Sequence, residues 1–259
     1  MILSLLVACG TDDKESSDEK NLEGKSSAEI QQENLDNLPD PTDAEMETKI
    51  KSVKHYKWLD ESLDQETITV YAEVENTGDI SIKLDEVKIT YLDKDGSVIS
   101  SSSDEGPALP EYIEKGDTGY IRAEIEGDVD DYDNLDKIDI ELSPKLTDEE
   151  IVKLKPKKTK ENIDTWSDTN TRVGMTGFLE NDSDIDLNKE EINAAVGVYD
   201  KNDELIAVES FYDGQEISID AKSESSFEFG NGMPLPPEVK EKADHLELKA
   251  IGVSGEDFY

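Results

Sequence analysis

The chain has 259 residues, of which 65 are acidic and 26 basic, for a formal net charge of −39. This acidic excess excludes an ordinary nucleic-acid surface, where lysine and arginine must neutralise phosphates, and it disfavours anionic ligands generally. A single cysteine excludes an internal disulfide framework, and the length, against a prior of about 150 residues per domain, suggests two modest domains.

That cysteine, Cys9, ends an apolar run formed by Ile2, Leu3, Leu5, Leu6, Val7 and Ala8. The run is far shorter than the about 20 residues of a membrane-spanning helix. It reads as the core of a signal peptide over residues 1–8. The quartet Leu6-Val7-Ala8-Cys9 resembles the lipobox of bacterial lipoproteins. The resemblance implies cleavage before Cys9 and a diacylglyceryl group on its thiol, whose two acyl chains suffice for stable anchoring. Secretory signals open with positive residues, whereas the first basic residue here is Lys14, so the signal is expected to begin upstream of Met1.

Residues 9–45 are polar and charged, with few large apolar side chains. Nothing there offsets the entropy of ordering, so a lipidated, disordered acidic stalk is expected. As a flexible chain it would reach roughly 35 Å, enough to hold a folded body clear of a membrane.

Past the stalk the chain repeats itself. The stretch AEVENTGDISIKLDEVKITYLDKDGSVIS, residues 72–100, is echoed by GFLENDSDIDLNKEEINAAVGVYDKNDELIAVES, residues 177–210. Asn76 corresponds to Asn181 and Asp93 to Asp200. Asn76 and Asn181 lie 105 positions apart, so the repeating unit is roughly a hundred residues, a tandem domain, since solenoid repeats run on the order of 20–50 residues. The expected boundaries are 46–145 and 146–259, with an exposed, cleavable junction near residues 145–165.

Within each repeat apolar residues alternate with period two, the pattern of strands with one face in a core. The first repeat shows it at Ile68, Val70, Ala72 and Val74, with Thr67, Thr69, Tyr71 and Glu73 on the other face, and again at Val87, Ile89 and Tyr91. The second shows it at Val173 and Met175, at Ala194, Val196 and Val198, and at Leu246, Leu248 and Ala250. Many short strands separated by turn residues predict an all-β fold of two sandwiches. Only PPEVKEKADH, near residue 240, offers a helical turn.

Asp95-Gly96 between two apolar runs predicts a hairpin through residues that tolerate positive φ, and Asn202-Asp203 takes the same place in the second copy. A calcium loop of the EF type needs acids at positions 1, 3 and 5, Gly at 6 and Glu at 12, which Asp93, Asp95 and Gly96 do not supply. The acidic stretches DVDDYDNLD (128–136) and DSDID (182–186) lack glycine-fixed loop geometry, and no metal site is assigned to them. Two lysine islands stand out on the acidic chain: Lys51, Lys54 and Lys57, then Lys153, Lys155, Lys157, Lys158 and Lys160. They read as guards on edge strands, with docking to an anionic wall polymer as the sharper alternative.

The run Val196-Gly197-Val198-Tyr199-Asp200, after GFLENDSD and before KNDELIAV, resembles the FxLYD domain of bacterial envelope proteins, with Tyr199 and Asp200 on the motif's Tyr and Asp. In the first copy, Ile89-Thr90-Tyr91-Leu92-Asp93 keeps the Asp and moves the aromatic by one place. The resemblance implies immunoglobulin-like sandwiches on a surface lipoprotein and carries no catalytic residues; the lack of further cysteines favours a Gram-positive origin. The two histidines, His55 and His245, fall in different repeats, and no nucleophile elbow, phosphate loop or zinc spacing accompanies them. Neither catalysis nor a cofactor is expected. The expected function is a non-catalytic binding or structural module of the cell envelope, lipid-anchored at the outer face of the bacterial cytoplasmic membrane. Its expected partners are that membrane and envelope proteins or wall polymers, with no nucleic acid. The alternative is an acidic surface protein that responds to calcium or other cations.

Overall fold

The computed structural model describes residues 46–60, 64–105, 108–126, 132–147, 149–165, 170–210, 217–230 and 234–254. The expectations for residues 1–45, Cys9 among them, lie outside the described residues, as do residues 128–131 of the first acidic stretch.

The alternating segments form antiparallel strands. The first repeat contains β1 (Thr48–Asp60), β2 (Gln65–Asn76), β3 (Ile82–Asp93), β4 (Val98–Glu105), β5 (Ala108–Leu109), β6 (Tyr112–Ile113), β7 (Thr118–Glu126) and β8 (Leu135–Leu146). The second contains β9 (Glu150–Thr165), β10 (Thr171–Asn181), β11 (Ile192–Asp200), β12 (Leu205–Ser210), β13 (Ser223–Phe229) and β14 (Ala243–Ser254), with a 3-10 turn at Lys189–Glu191 and a short helix, α1 (Pro237–Lys242), where the helical turn was expected. They make three sheets: β1-β2-β7-β5, then β4-β3-β6 with β8 also on β3, and β12-β11-β14-β9-β10-β13.

The duplication reappears in the pairing. β1 with β2, β2 with β7, β3 with β4 and β3 with β8 in the first repeat are matched by β9 with β10, β10 with β13, β11 with β12 and β11 with β14 in the second. Asn76 and Asn181 are both fully buried and hold equivalent corners. The Asn76 amide donates to the Ile80 and Ile113 carbonyls at 2.8 and 3.0 Å and accepts the Gly78 N–H at 3.1 Å. The Asn181 amide donates to the Ile185 carbonyl at 2.7 Å and accepts the Ser183 N–H at 3.0 Å.

The hairpins form as expected, by a different turn. Asp93 Oδ1 accepts the N–H of Asp95 and Ser97 at 2.9 and 2.8 Å, and Asp200 Oδ1 accepts those of Asn202 and Glu204 at 2.8 and 3.1 Å. Only the second residue of each pair has positive φ, 78° at Gly96 and 59° at Asp203. Register shifts at Tyr91/Leu92 and Val198/Tyr199 absorb the extra residues as bulges.

The larger departure concerns the faces opposite the cores. Val70, Ala72 and Val74 of β2 enter one apolar cluster with Val87, Ile89 and Ile121. Tyr71, on the other face, is equally buried and joins a second cluster with Tyr120 of β7 and the core of the second repeat, including Val196, Val198 and Leu205. The two repeats therefore pack directly on each other. A Cβ at Gly197 would stand 2.6 Å from Tyr120 Oη, so glycine is what lets β11 approach β7 this closely. Tyr199 Oη lies 3.2 Å from Tyr120 Oη and 3.4 Å from the Glu73 carboxylate. Beside them Arg122, its side chain 5% exposed, donates to Glu124 at 2.6 and 3.0 Å, to Glu209 at 3.0 Å and to the Val208 carbonyl at 3.3 Å. Residues 150–165, expected as a cleavable junction, are instead β9, paired first with β14 and then with β10.

This packing predicts that the repeats unfold together. Trp58 fluorescence in a Trp166→Phe background and far-UV circular dichroism should give coincident urea transitions. Arg122→Met, which strands the buried Glu209 charge, should cost about 3–5 kcal/mol. Gly197→Ala should cost about 1–3 kcal/mol by overpacking.

Candidate functional site

A groove of 340 Å³ opens where β9 parts from β14. β9 pairs with β14 only as far as Leu154, opposite Ala250, and from Lys155 onward it pairs with β10. Two local features mark the departure. Pro156 has no N–H to donate to a ladder, and Lys158 takes a φ of 51°, next to a register shift between Thr176 and Phe178 on the partner strand. As a result β14 keeps β11 on one side from His245 to Lys249 and, among the described residues, has no strand on the other.

The floor is apolar: Leu154, Met175, Leu246 and Leu248. Tyr112 and Ile113 of the first repeat wall one side, so both repeats contribute. Backbone groups also face the opening. The Leu246 N–H donates to a carboxylate oxygen of Glu161 at 3.0 Å and so points away from β11. Successive residues of an antiparallel strand alternate in direction, so the Leu248 N–H and C=O point into the groove as well.

The rim carries both charges. Lys153 hydrogen-bonds Asp117, and Lys249 lies 3.8 Å from Asp117, 3.1 Å from Glu247 and 5.4 Å from the centre of the Tyr120 ring. Burial pushes the Asp117 carboxyl up, but the hydrogen bonds from Lys153 and the Thr118 N–H, with the nearby Lys249 charge, outweigh it and hold Asp117 below the ordinary carboxylate range.

The lysine islands are largely neutralised in place. Lys51 pairs with Glu73, Lys54 with Glu204, Lys57 with Asp133, Lys155 with Asp182, Lys157 with Glu180 and Lys158 with Glu224. β1 is an edge strand, as its lysines suggested. β9 lies between β14 and β10, pairing with each in turn, so Lys153 and Lys155 border the groove rather than a free edge.

The acidic stretches are used structurally. Tyr132 meets Tyr91 edge to face at 5.5 Å, Asp133 binds Lys57 at 2.6 Å, Asp184 lies 3.4 Å from Lys222, and Asp186 accepts the Ala221 N–H at 2.7 Å. Among the described residues no three His, Cys, Asp or Glu side chains group as metal ligands. His245 stacks on Tyr199 with centroids 5.3 Å apart, while His55 sits on β1 opposite Val70.

The sequence reading did not single out Tyr112, Glu161 or Lys249, and it named Leu248 only as an apolar strand residue. The available signal was Pro156 inside a strand-like run, since proline in a strand marks an edge or a bulge. Comparison with known proteins returns no matching family model and no matching curated protein.

Two outcomes follow from the charges. Asp117 and Asp200 are both held below their ordinary pKa, Asp200 by the Asn202 and Glu204 N–H groups, so their stabilisation is present above the unfolded pKa near 3.8 and is lost as pH falls through the lower folded value. Asp117→Asn should therefore show a smaller drop in urea midpoint between pH 5 and pH 2.5 than the unaltered chain, with pH ranges set by roughly these pKa values. Calcium and magnesium at equal concentration should raise the melting temperature equally, by screening. A shift specific to micromolar calcium would instead support the cation-responsive reading.

Proposed function

We propose that this chain is a non-catalytic binding or structural module of the bacterial cell envelope, tethered to the outer face of the cytoplasmic membrane by a diacylglyceryl group on Cys9. The observation that carries the reading is the Leu6-Val7-Ala8-Cys9 quartet at the end of a short apolar run, followed by a polar acidic stretch and then an all-β body. The matched pairing of the two repeats, their equivalent asparagine corners and their Asp-anchored hairpins favour a pair of immunoglobulin-like sandwiches, as the FxLYD resemblance implies. In this reading the acidic surface keeps the tethered body soluble and repels anionic polymers, and a groove built from both repeats serves binding.

The test is fractionation of cells carrying the chain with its complete signal. The unaltered protein should partition with membranes and detergent, and Cys9→Ser should release it or leave an uncleaved precursor. A protein already soluble with Cys9 present would refute the anchor.

A further inference from the structure

We propose that the groove between β14 and β9 takes an extended peptide segment with apolar side chains at alternate positions, which adds as a short strand to the open side of β14. The inference rests on reading the chain as a binding module and states what the module takes. Leu248 turns an N–H and a C=O into the groove, and Leu246 turns its C=O the same way, a spacing that matches the backbone of an extended chain. Continued pairing would set Pro156 opposite Leu248, and proline cannot donate there, so the chain's own strand does not complete the ladder.

Strand addition of this kind draws affinity from main-chain hydrogen bonds and specificity from side-chain pockets. The volume of 340 Å³ is near the lower end of the about 300–1,000 Å³ usual for ligand sites, which suits a few residues rather than a folded domain. Leu154, Met175, Leu246 and Leu248 offer an apolar floor to alternate side chains. At the rim Lys153 is paired with Asp117, Lys155 with Asp182 and Lys249 with Glu247, so the main chain and the apolar floor, and not charge, select the occupant. The Glu161 carboxylate on the Leu246 N–H terminates the open side, so an added strand would be short and its register defined.

The test uses the full chain, isotope-labelled, and a blocked heptapeptide of sequence Ser-Thr-Val-Thr-Val-Thr-Ser. Amide shifts should concentrate at Leu246 to Lys249. The same peptide with both valine nitrogens methylated should bind about tenfold more weakly, as the loss of one to two main-chain hydrogen bonds requires. In the free protein the Leu248 amide should exchange with solvent much faster than Glu247, which faces β11. Equal binding of the methylated peptide, shifts centred elsewhere, no shift at millimolar peptide, or a protected Leu248 amide would overturn the inference. Any of these, with Cys9-dependent membrane partition intact, would leave the anchored-module reading standing.

Discussion

The outer face of the first repeat's β1-β2-β7-β5 sheet is not solvated, and most of the architecture follows from that constraint. Tyr71, Tyr120 and Arg122 project from it into the second repeat, and all three are buried. A buried guanidinium is tolerable only when paired, so Glu124 from its own strand and Glu209 from β12 converge on it. Packing this tight requires a neighbour without a side chain, which Gly197 supplies. β2 is consequently buried along both faces from Thr67 to Val74, and its β-branched composition suits a central strand better than an exposed one.

The groove is the counterpart of this closeness. β9 serves two partners in succession, and a strand that changes partners leaves its first one unaccompanied beyond the crossover. Tyr112 and Ile113 then approach from the first repeat and give the opening a second wall. Without the direct packing of the repeats the exposed side of β14 would be a bare edge; with it, the edge lies at the bottom of a cleft.

The net charge of −39 is borne without disrupting the body because the basic residues are spent locally. Most described lysines of the two islands meet a carboxylate across a strand pair or a turn. Exposed pairs of this sort contribute only about 0–1 kcal/mol each, so their effect is to even out repulsion rather than to hold the fold. Stability comes from the apolar clusters and from the few buried polar groups that are fully paired, chiefly Asn76, Asn181 and Arg122.

By itself the sequence determined what depends on neighbours along the chain. Period-two alternation placed the strands, Asp95-Gly96 and Asn202-Asp203 placed the hairpins, and internal likeness paired Asn76 with Asn181, because these reflect backbone chemistry and local burial. The contiguous apolar stretches AAVGVY and LIAV in β11 and β12 carried a hint of burial on both faces, which alternation alone hides. Only the tertiary structure decided that Tyr71 and Glu73 face another repeat rather than water, that Arg122 finds Glu209, and that β9 abandons β14 at Leu154. Those outcomes rest on contacts between residues far apart in the chain, where charge, size and a missing side chain at Gly197 must match across an interface that no local pattern encodes.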